Sequence, residues 1–292
     1  MAYIRRVGIL RVYWGGSIGC DVAYLEKVKI SDCFKEVTMV RIYGSIFVFL
    51  GFVCGIAQIR ADEMSVKVVE APPETKGMRA LFNGKDLTGW TGDARLWSVR
   101  DGVIHGETTE DESASGNTFL IFKGGGDTPE EFDDFELRLS FRCNATNNSG
   151  IQYRSEWLSD QKNDWVLAGY QHEVRNEIDF PNVSSFIYDE KGKGKRLCNI
   201  GEVCERDTQG EKTVTGVLID EPQFQKLFHL DGWNDAVIIT EGNHVRHFLN
   251  GRQVIDFVNL DPATIREKGV IALQLHQGKP MWTEFKNIRI KN

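Results

Sequence analysis

Between Phe135 and Cys143 the chain reads FELRLSFRC, placing Phe135, Leu137, Leu139, Phe141 and Cys143 on one side and Glu136, Arg138, Ser140 and Arg142 on the other. Successive side chains of a strand leave on opposite faces, so this period of two predicts a strand with one buried and one wet face. After Gly77 the chain continues as short alternating runs broken by Gly, Asn and Asp, the pattern of an all-β sandwich or barrel. Asp101-Gly102 within Trp97–Val103 predicts a hairpin turn, as does Asn250-Gly251 between Ala236–Leu249 and Gln253–Val258. Val270–His276 and Thr283–Ile290 read as closing strands. Asp261-Pro262 predicts a short helix over Pro262–Lys268, with Asp as cap and Pro in the first turn. No longer helical pattern is present to cover a parallel sheet, so two packed antiparallel sheets follow.

The N-terminus obeys different rules. Met39-Val40-Arg41 precedes the apolar run Ile46–Ala57, and Ala61 stands before the acidic Asp62. A basic start, an apolar stretch of about a dozen residues and a small residue at the end describe a secretory signal peptide over about 39–61. The run is shorter than the roughly 20 residues a membrane-spanning helix needs, so the mature protein is expected to carry no stable membrane span. Residues 1–38 fit neither a domain nor a signal and read as a mis-called extension, with Met39 the expected true start. Residues 62–78, with Pro72-Pro73, read as a linker, and 79–292 as one sandwich domain. The expected location is secreted or periplasmic.

A net charge of −7 argues against a nucleic-acid partner. Cys143, Cys198 and Cys204 follow the signal region. Cys198 and Cys204 could bridge a short loop in an oxidising compartment, leaving Cys143 as a buried strand residue. No paired Cys/His spacing supports zinc.

The unusual strand is Gly169–Asp179, GYQHEVRNEID. Alternation lines Gln171, Glu173, Arg175 and Glu177 along one face and Tyr170, His172 and Val174 along the other. An amide, two carboxylates and a guanidinium beside aromatics suit a sugar-binding groove. Other polar groups join them: Gln152 and Arg154 in Asn148–Arg154, Tyr188 and Glu190 before the loop Lys191–Arg196, and Gln274 with His276 at the end of a strand. Arg154 could equally pair with Glu173 across strands. The Lys191–Arg196 loop reads as a solvated turn rather than an anion site. His244 and His247, three apart, fall on opposite faces and are expected at the surface. Glu173 and Glu177 lie about 13 Å apart on one strand, beyond the roughly 5–9.5 Å of a glycosidase carboxylate pair. Glu177 and its neighbours therefore lose weight, and Glu190 becomes the expected partner of Glu173. The Glu-x-Asp-x-x-Glu signature of sandwich-fold glucanases is absent, Arg175 standing where its central acid would be.

Leu81–Trp90 (LFNGKDLTGW), Asn148–Arg154 (NSGIQYR), Gly169–Glu173 (GYQHE), Tyr188–Glu190 (YDE), Asn250-Gly251 and Gly269–Ile290, in that order, resemble the 3-keto-disaccharide hydrolase family, long catalogued as a domain of unknown function. The resemblance covers essentially Arg79–Asn292 and implies a concanavalin A-like jelly-roll sandwich of the lectin and glucanase type, commonly on exported proteins. Its implied activity is cleavage of glycosidic bonds in sugars oxidised at C3. One departure is His172-Glu173, where many relatives place a residue followed by Asp. The implied roles are Glu173 or His276 as base, Glu190 as acid and Arg154 as enolate stabiliser, with Gln152, Gln171, Tyr188 and Gln274 binding substrate. No spacing specifies a cofactor, and a divalent metal held by Glu173 and His276 with waters would serve the same chemistry. The expected partner is an oligosaccharide or 3-keto glycoside. Two rival readings stand beside it: a non-catalytic carbohydrate-binding module, in which Trp157, Trp165 and Trp233 could stack sugars, and a direct glycosidase acting on unoxidised sugar.

Overall fold

The computed structural model describes residues 65–158 and 164–292, together with four short strands near the N-terminus: β1 (Tyr3–Ile4), β2 (Ile9–Tyr13), β3 (Gly19–Ala23) and β4 (Val28–Lys29). Contacts divide the chain into Met1–Ile59 and Arg60–Asn292, and the sandwich belongs to the second unit. The signal peptide expected over 39–61 lies outside the described residues, as does much of 1–38.

The sandwich strands follow in chain order. The first group is β5 (Arg79–Ala80), β6 (Trp90–Thr91), β7 (Trp97–Arg100), β8 (Val103–Thr108), β9 (Thr118–Phe122), β10 (Phe135–Cys143) and β11 (Ser149–Leu158). Next come β12 (Val166–Val174), β13 (Ile187–Glu190), β14 (Arg196–Cys198), β15 (Glu202–Arg206) and β16 (Lys212–Val217). A helix α1 (Glu221–Leu227) precedes β17 (Asn234–Glu241), β18 (His244–Leu249), β19 (Arg252–Asn259), β20 (Val270–Leu275) and β21 (Met281–Lys291). One sheet has ten strands in the order β16-β15-β19-β18-β17-β10-β21-β8-β7, with β5 also on β21. The other has seven, ordered β14-β13-β12-β11-β20-β9-β6. Every pair is antiparallel except β15 with β19. This is the two-sheet all-β jelly-roll sandwich expected from the alternation.

The core lies between the sheets. From the ten-stranded sheet Phe135, Leu137, Leu139 and Phe141 point inward, and from the seven-stranded sheet Ile151, Tyr153, Tyr170, His172, Val174, Leu273 and Leu275 meet them. Contact across the gap is direct: the Phe141 and His172 rings stand 5.9 Å apart, and Tyr153 Oη lies 2.8 Å from His247 Nε2. His247 is thus a core residue, not a surface one. Its Nδ1 meets the Ser185 carbonyl at 2.8 Å, which satisfies a polar ring that burial would otherwise penalise. His244, on the opposite face, bonds Asp256 at 2.7 Å.

The turns show which local signals prevailed. Asp101-Gly102 and Asn250-Gly251 carry positive φ at both positions, as a two-residue type I′ hairpin requires. Ala236–Leu249 holds a further hairpin, because β17 and β18 turn between Glu241 and His244. The helix expected at Pro262–Lys268 is only a turn. Asp261 does cap it, accepting from Ala263 N and Thr264 Oγ1, both at 2.9 Å. Arg266 N, however, donates to Tyr170 Oη at 3.1 Å and Arg266 O accepts from Arg154, so tertiary partners hold the backbone that a helix would need. The helix forms instead at Glu221, where Asp220 and Gln223 make a reciprocal capping box with Pro222 in the first turn. Residues 65–77 lie along the larger sheet, with Lys67 N on Val217 O and Ala71 N on Gly251 O, both at 2.7 Å.

Burial removes solvation from the imidazolium form and pushes His247 down to about 4, and His172 well below the ordinary histidine value. The expected result in a proton NMR titration is a His247 ring midpoint near 4. A midpoint near 6.5 would mean that the ring is solvated and the two sheets are not closed over it.

Candidate active site

The outer face of the seven-stranded sheet carries a cavity of about 270 Å³. It is lined by Asn117, Asn148, Gln171, Glu173, Arg175, Phe186, Tyr188, Glu190, Arg196, Gln274 and His276. Its floor follows from register. Gln171 sits opposite Gln152 on β11 and opposite Tyr188 on β13, while Glu173 faces Gly150 and Glu190 faces Gly169. Glu173 is two residues beyond Gln171 and Glu190 two beyond Tyr188, and the strands run oppositely. The two carboxylates therefore flank the Gln171–Tyr188 pair from its two ends. On β20, Gln274 shares this face, and His276 follows at the rim.

A chain of hydrogen bonds fixes the floor. Ser155 Oγ donates to Gln152 Oε1 at 2.7 Å, Gln152 Nε2 to Gln171 Oε1 at 2.8 Å, and Gln171 Nε2 to Glu173 Oε2 at 2.9 Å. Arg175 Nε donates to the other oxygen, Glu173 Oε1, at 2.7 Å. Each amide has one orientation that satisfies both neighbours, so the carboxylate is held on both oxygens. Glu173 is 3% exposed. Burial is the largest influence on it and raises its pKa to about 7, against the opposing pull of Arg175, Gln171 and Arg196. Burial likewise raises Glu190, which accepts from Asn117 Nδ2 at 3.2 Å. Both acids are thus shifted toward neutrality, as functional carboxylates often are.

Two polar groups on the floor lack partners within the protein. Gln274 is fully buried, yet neither its Nε2 nor its Oε1 has a hydrogen bond, and Asn148 Oδ1 has none either. Buried amides normally find partners. These two line a cavity, where a polar ligand can supply them.

Arg196 brings a second guanidinium. It lies 3.8 Å over the Phe186 ring and donates to Pro181 O and Asn182 Oδ1, both neutral acceptors. Sequence reading took the Lys191–Arg196 loop as a solvated turn and passed over Asn117 and Phe186, which reach the cavity only through topology. It also set Arg175 aside with Glu177. The structure returns Arg175, whose side chain folds back two residues onto Glu173.

Two expected site residues lie elsewhere. Gln152 does not line the cavity and acts beneath it, orienting Gln171. Arg154 is a correction. It sits at the β11 bulge with φ 46°, and its guanidinium turns to the Asp133, Gly242 and Arg266 carbonyls and Asp134 Oδ1, at 2.5–3.0 Å. It pairs neither with Glu173 nor with a ligand in the cavity. The metal expectation fits poorly too, because both Glu173 oxygens are taken and one of them holds the Arg175 cation. Among the described residues the acid, His and Cys side chains close enough to share an ion are Cys198, Glu202 and Cys204, outside the cavity. Of the three tryptophans, Trp157 and Trp165 pack on an apolar cluster with Phe119 and Leu167, and Trp233 is covered by Arg142 and Lys286.

A Cβ at Gly150 would fall inside the Gln171 side chain. In Gly150→Ala the amide is displaced and withdraws the N–H that lowers the Glu173 pKa. The carboxyl resonance of Glu173 should then titrate above 7. Titration at or below the wild-type midpoint would show that Gln171 does not orient the acid.

Comparison with known proteins places this geometry in a family. Residues 77–291 match the 3-keto-alpha-glucoside-1,2-lyase-like domain. A Bacteroides thetaiotaomicron 3-keto-disaccharide hydrolase is 26% identical over 113 residues, a match spanning 36% of each chain. A solved Parabacteroides distasonis structure, classed as a candidate glycosyl hydrolase, is 22% identical with a TM-score of 0.49, covering 77% of this chain and 99% of that one. The carbohydrate-binding module CBM66 of Bacillus subtilis is 15% identical with a TM-score of 0.42, covering 70% and 96%. With the family match covering the whole sandwich and every motif that builds the cavity, the chain belongs to the 3-keto-alpha-glucoside-1,2-lyase-like family.

Proposed function

We propose that this protein is an exported enzyme that cleaves glycosidic bonds in sugars already oxidised to a ketone at C3, by elimination followed by hydration. The observation that carries the reading is Glu173, a buried carboxylate with a pKa near 7, clamped by Arg175 and Gln171 on the floor of a cavity the size of one sugar. The C3 ketone acidifies the proton on C2. Glu173 takes that proton, and the C2–H electron pair becomes the enolate. As the C1–O bond breaks, the pair closes the C1–C2 double bond, and Glu190 protonates the departing oxygen. Water then adds at C1 and a proton returns to C2. The enolate oxygen needs positive charge, and Arg196 with Arg175 takes the role that the sequence assigned to Arg154. Gln171, Gln274, Asn148 and Tyr188 receive the ring hydroxyls, and His276 lines the Glu190 end.

The rivals fit the cavity less well. A binding module selects aromatic platforms, but none of Trp157, Trp165 and Trp233 lines this cavity, and Phe186 lies under Arg196. A direct glycosidase of the sandwich type carries a Glu-x-Asp-x-x-Glu strand, and here Arg175 stands where its central acid would be.

As base, Glu173 must be ionised, so kcat/KM on a 3-keto glucoside should rise with pH through about 7. As acid, Glu190 must be protonated, and burial pushes its carboxyl in that direction. Glu173→Gln should lose at least about 100-fold in kcat with the fold intact. Cleavage in D2O should leave deuterium at C2 of the released sugar. Full activity of Glu173→Gln, or product free of C2 deuterium, would overturn the mechanism.

A further inference from the structure

We infer that Cys198 and Cys204 form a disulfide that staples the two sheets together at the edge strand carrying Arg196. Cys198 ends β14 in the seven-stranded sheet, and Cys204 lies within β15 of the ten-stranded sheet. Their Sγ atoms are 2.8 Å apart. Unbonded carbons settle at about 3.5–4.0 Å, and sulfur is larger. A disulfide needs about 2.05 Å, so less than an ångström of closure remains. Both side chains belong to the buried core between the sheets, so the bond, once made, is out of reach of reductants.

Fold position gives the staple a purpose. β14 has three residues and, among the described strands, pairs only with β13, on one side. Arg196 begins it, two residues before Cys198, and reaches into the cavity. A covalent tie to the other sheet supplies the anchoring that the missing second strand neighbour would give. A metal is the competing use, since Glu202 lies within ligand range of both sulfurs. Its carboxylate is already engaged, with Asn199 Nδ2 on Oε1 at 2.7 Å and Lys212 Nζ on Oε2 at 2.8 Å. Two thiolates on one tetrahedral zinc would also stand about 3.8 Å apart, from Zn–S bonds of about 2.3 Å. The observed spacing suits a bond between the sulfurs.

The chemistry is thiol–disulfide exchange with a disulfide donor, such as glutathione disulfide or a thiol oxidase. The two thiols give up two protons and two electrons, one Sγ–Sγ bond forms, and the donor disulfide leaves as two thiols. Burial raises the Cys198 pKa, so exchange belongs to the folding chain, before the core closes.

No Lys or Arg lies between Leu197 and Glu205, so trypsin releases both cysteines in one peptide, Leu197–Arg206. The test is to fold the full chain with a glutathione redox pair, denature it in iodoacetamide without reductant, digest it, and weigh that peptide. The expected peptide carries no alkyl group and is lighter than its dithiol form by two hydrogens, and prior reduction lets it take two alkyl groups. Protein folded throughout in reductant should melt about 5–10 °C below protein folded with the glutathione pair, while the Cys198→Ser/Cys204→Ser double variant should melt near the reduced protein whichever way it is folded. Two alkyl groups without reduction, zinc bound in equal proportion to the protein, or a wild-type Tm the same whichever way it is folded would each overturn the staple. Should the double variant not fold, the wild-type peptide and its Tm decide alone.

Discussion

The packing of one strand against the opposite sheet governs everything that happens on its other face. Tyr170, His172 and Val174 of β12 are held in the core, where His172 meets Phe141 and His247, and Tyr170 Oη bonds Asn259 at 2.7 Å. A strand so pinned cannot rotate or slip, because a one-residue shift would exchange its two faces. Gln171 and Glu173 are therefore fixed on the outer face as rigidly as their neighbours are fixed inside. Sheet register then delivers Gln152, Tyr188 and Glu190 to defined places around them. The site is a by-product of core packing.

Two opposing effects set the chemistry of that face. Burial favours neutral Glu173, while a guanidinium and an amide N–H favour the carboxylate. Burial wins by a pKa change from 4.5 to about 7, which is about 3 kcal/mol in favour of the acid form. The result is a group near balance at neutral pH that gains or loses a proton at little cost. Such a balance depends on position. Arg175 bonded to one oxygen and Gln171 to the other leave the carboxylate one orientation, and the relay through Gln152 to Ser155 keeps it there.

How much of this was legible in the sequence depended on whether a local rule or a long-range contact decided the outcome. Phe135–Cys143 alternates and forms the expected strand, and the two faces of Gly169–Val174 were assigned correctly, because period-two patterning is local. Glu173, Glu190, Gln171, Tyr188, Gln274 and His276 meet at one cavity for the same reason. Arg154 failed because a bulge with positive φ broke the alternation on which its placement rested. His244 and His247 do fall on opposite faces as their spacing requires, but no local signal announces a Tyr153 from the other sheet that makes His247 a core residue. Arg175 was set aside with Glu177 on the strand spacing between Glu173 and Glu177, which says nothing about a long side chain turning back on its own strand. Asn117 and Arg196 come from segments more than 50 and more than 20 residues away from Glu173 in the sequence, and only the sheet order brings them to it. At Pro262 a good local helix signal lost to tertiary hydrogen bonds, whereas the helix at Glu221 is closed by a reciprocal Asp220–Gln223 capping box.

The central claim is that the cavity works on a ketone. The most direct measurement incubates the purified protein with two matched disaccharides, one oxidised to the ketone at C3 and one not, with and without chelator. Release of monosaccharide from the 3-keto form alone, unchanged by chelator, is the predicted result. Equal cleavage of both sugars, or binding of both with no cleavage of either, would contradict it.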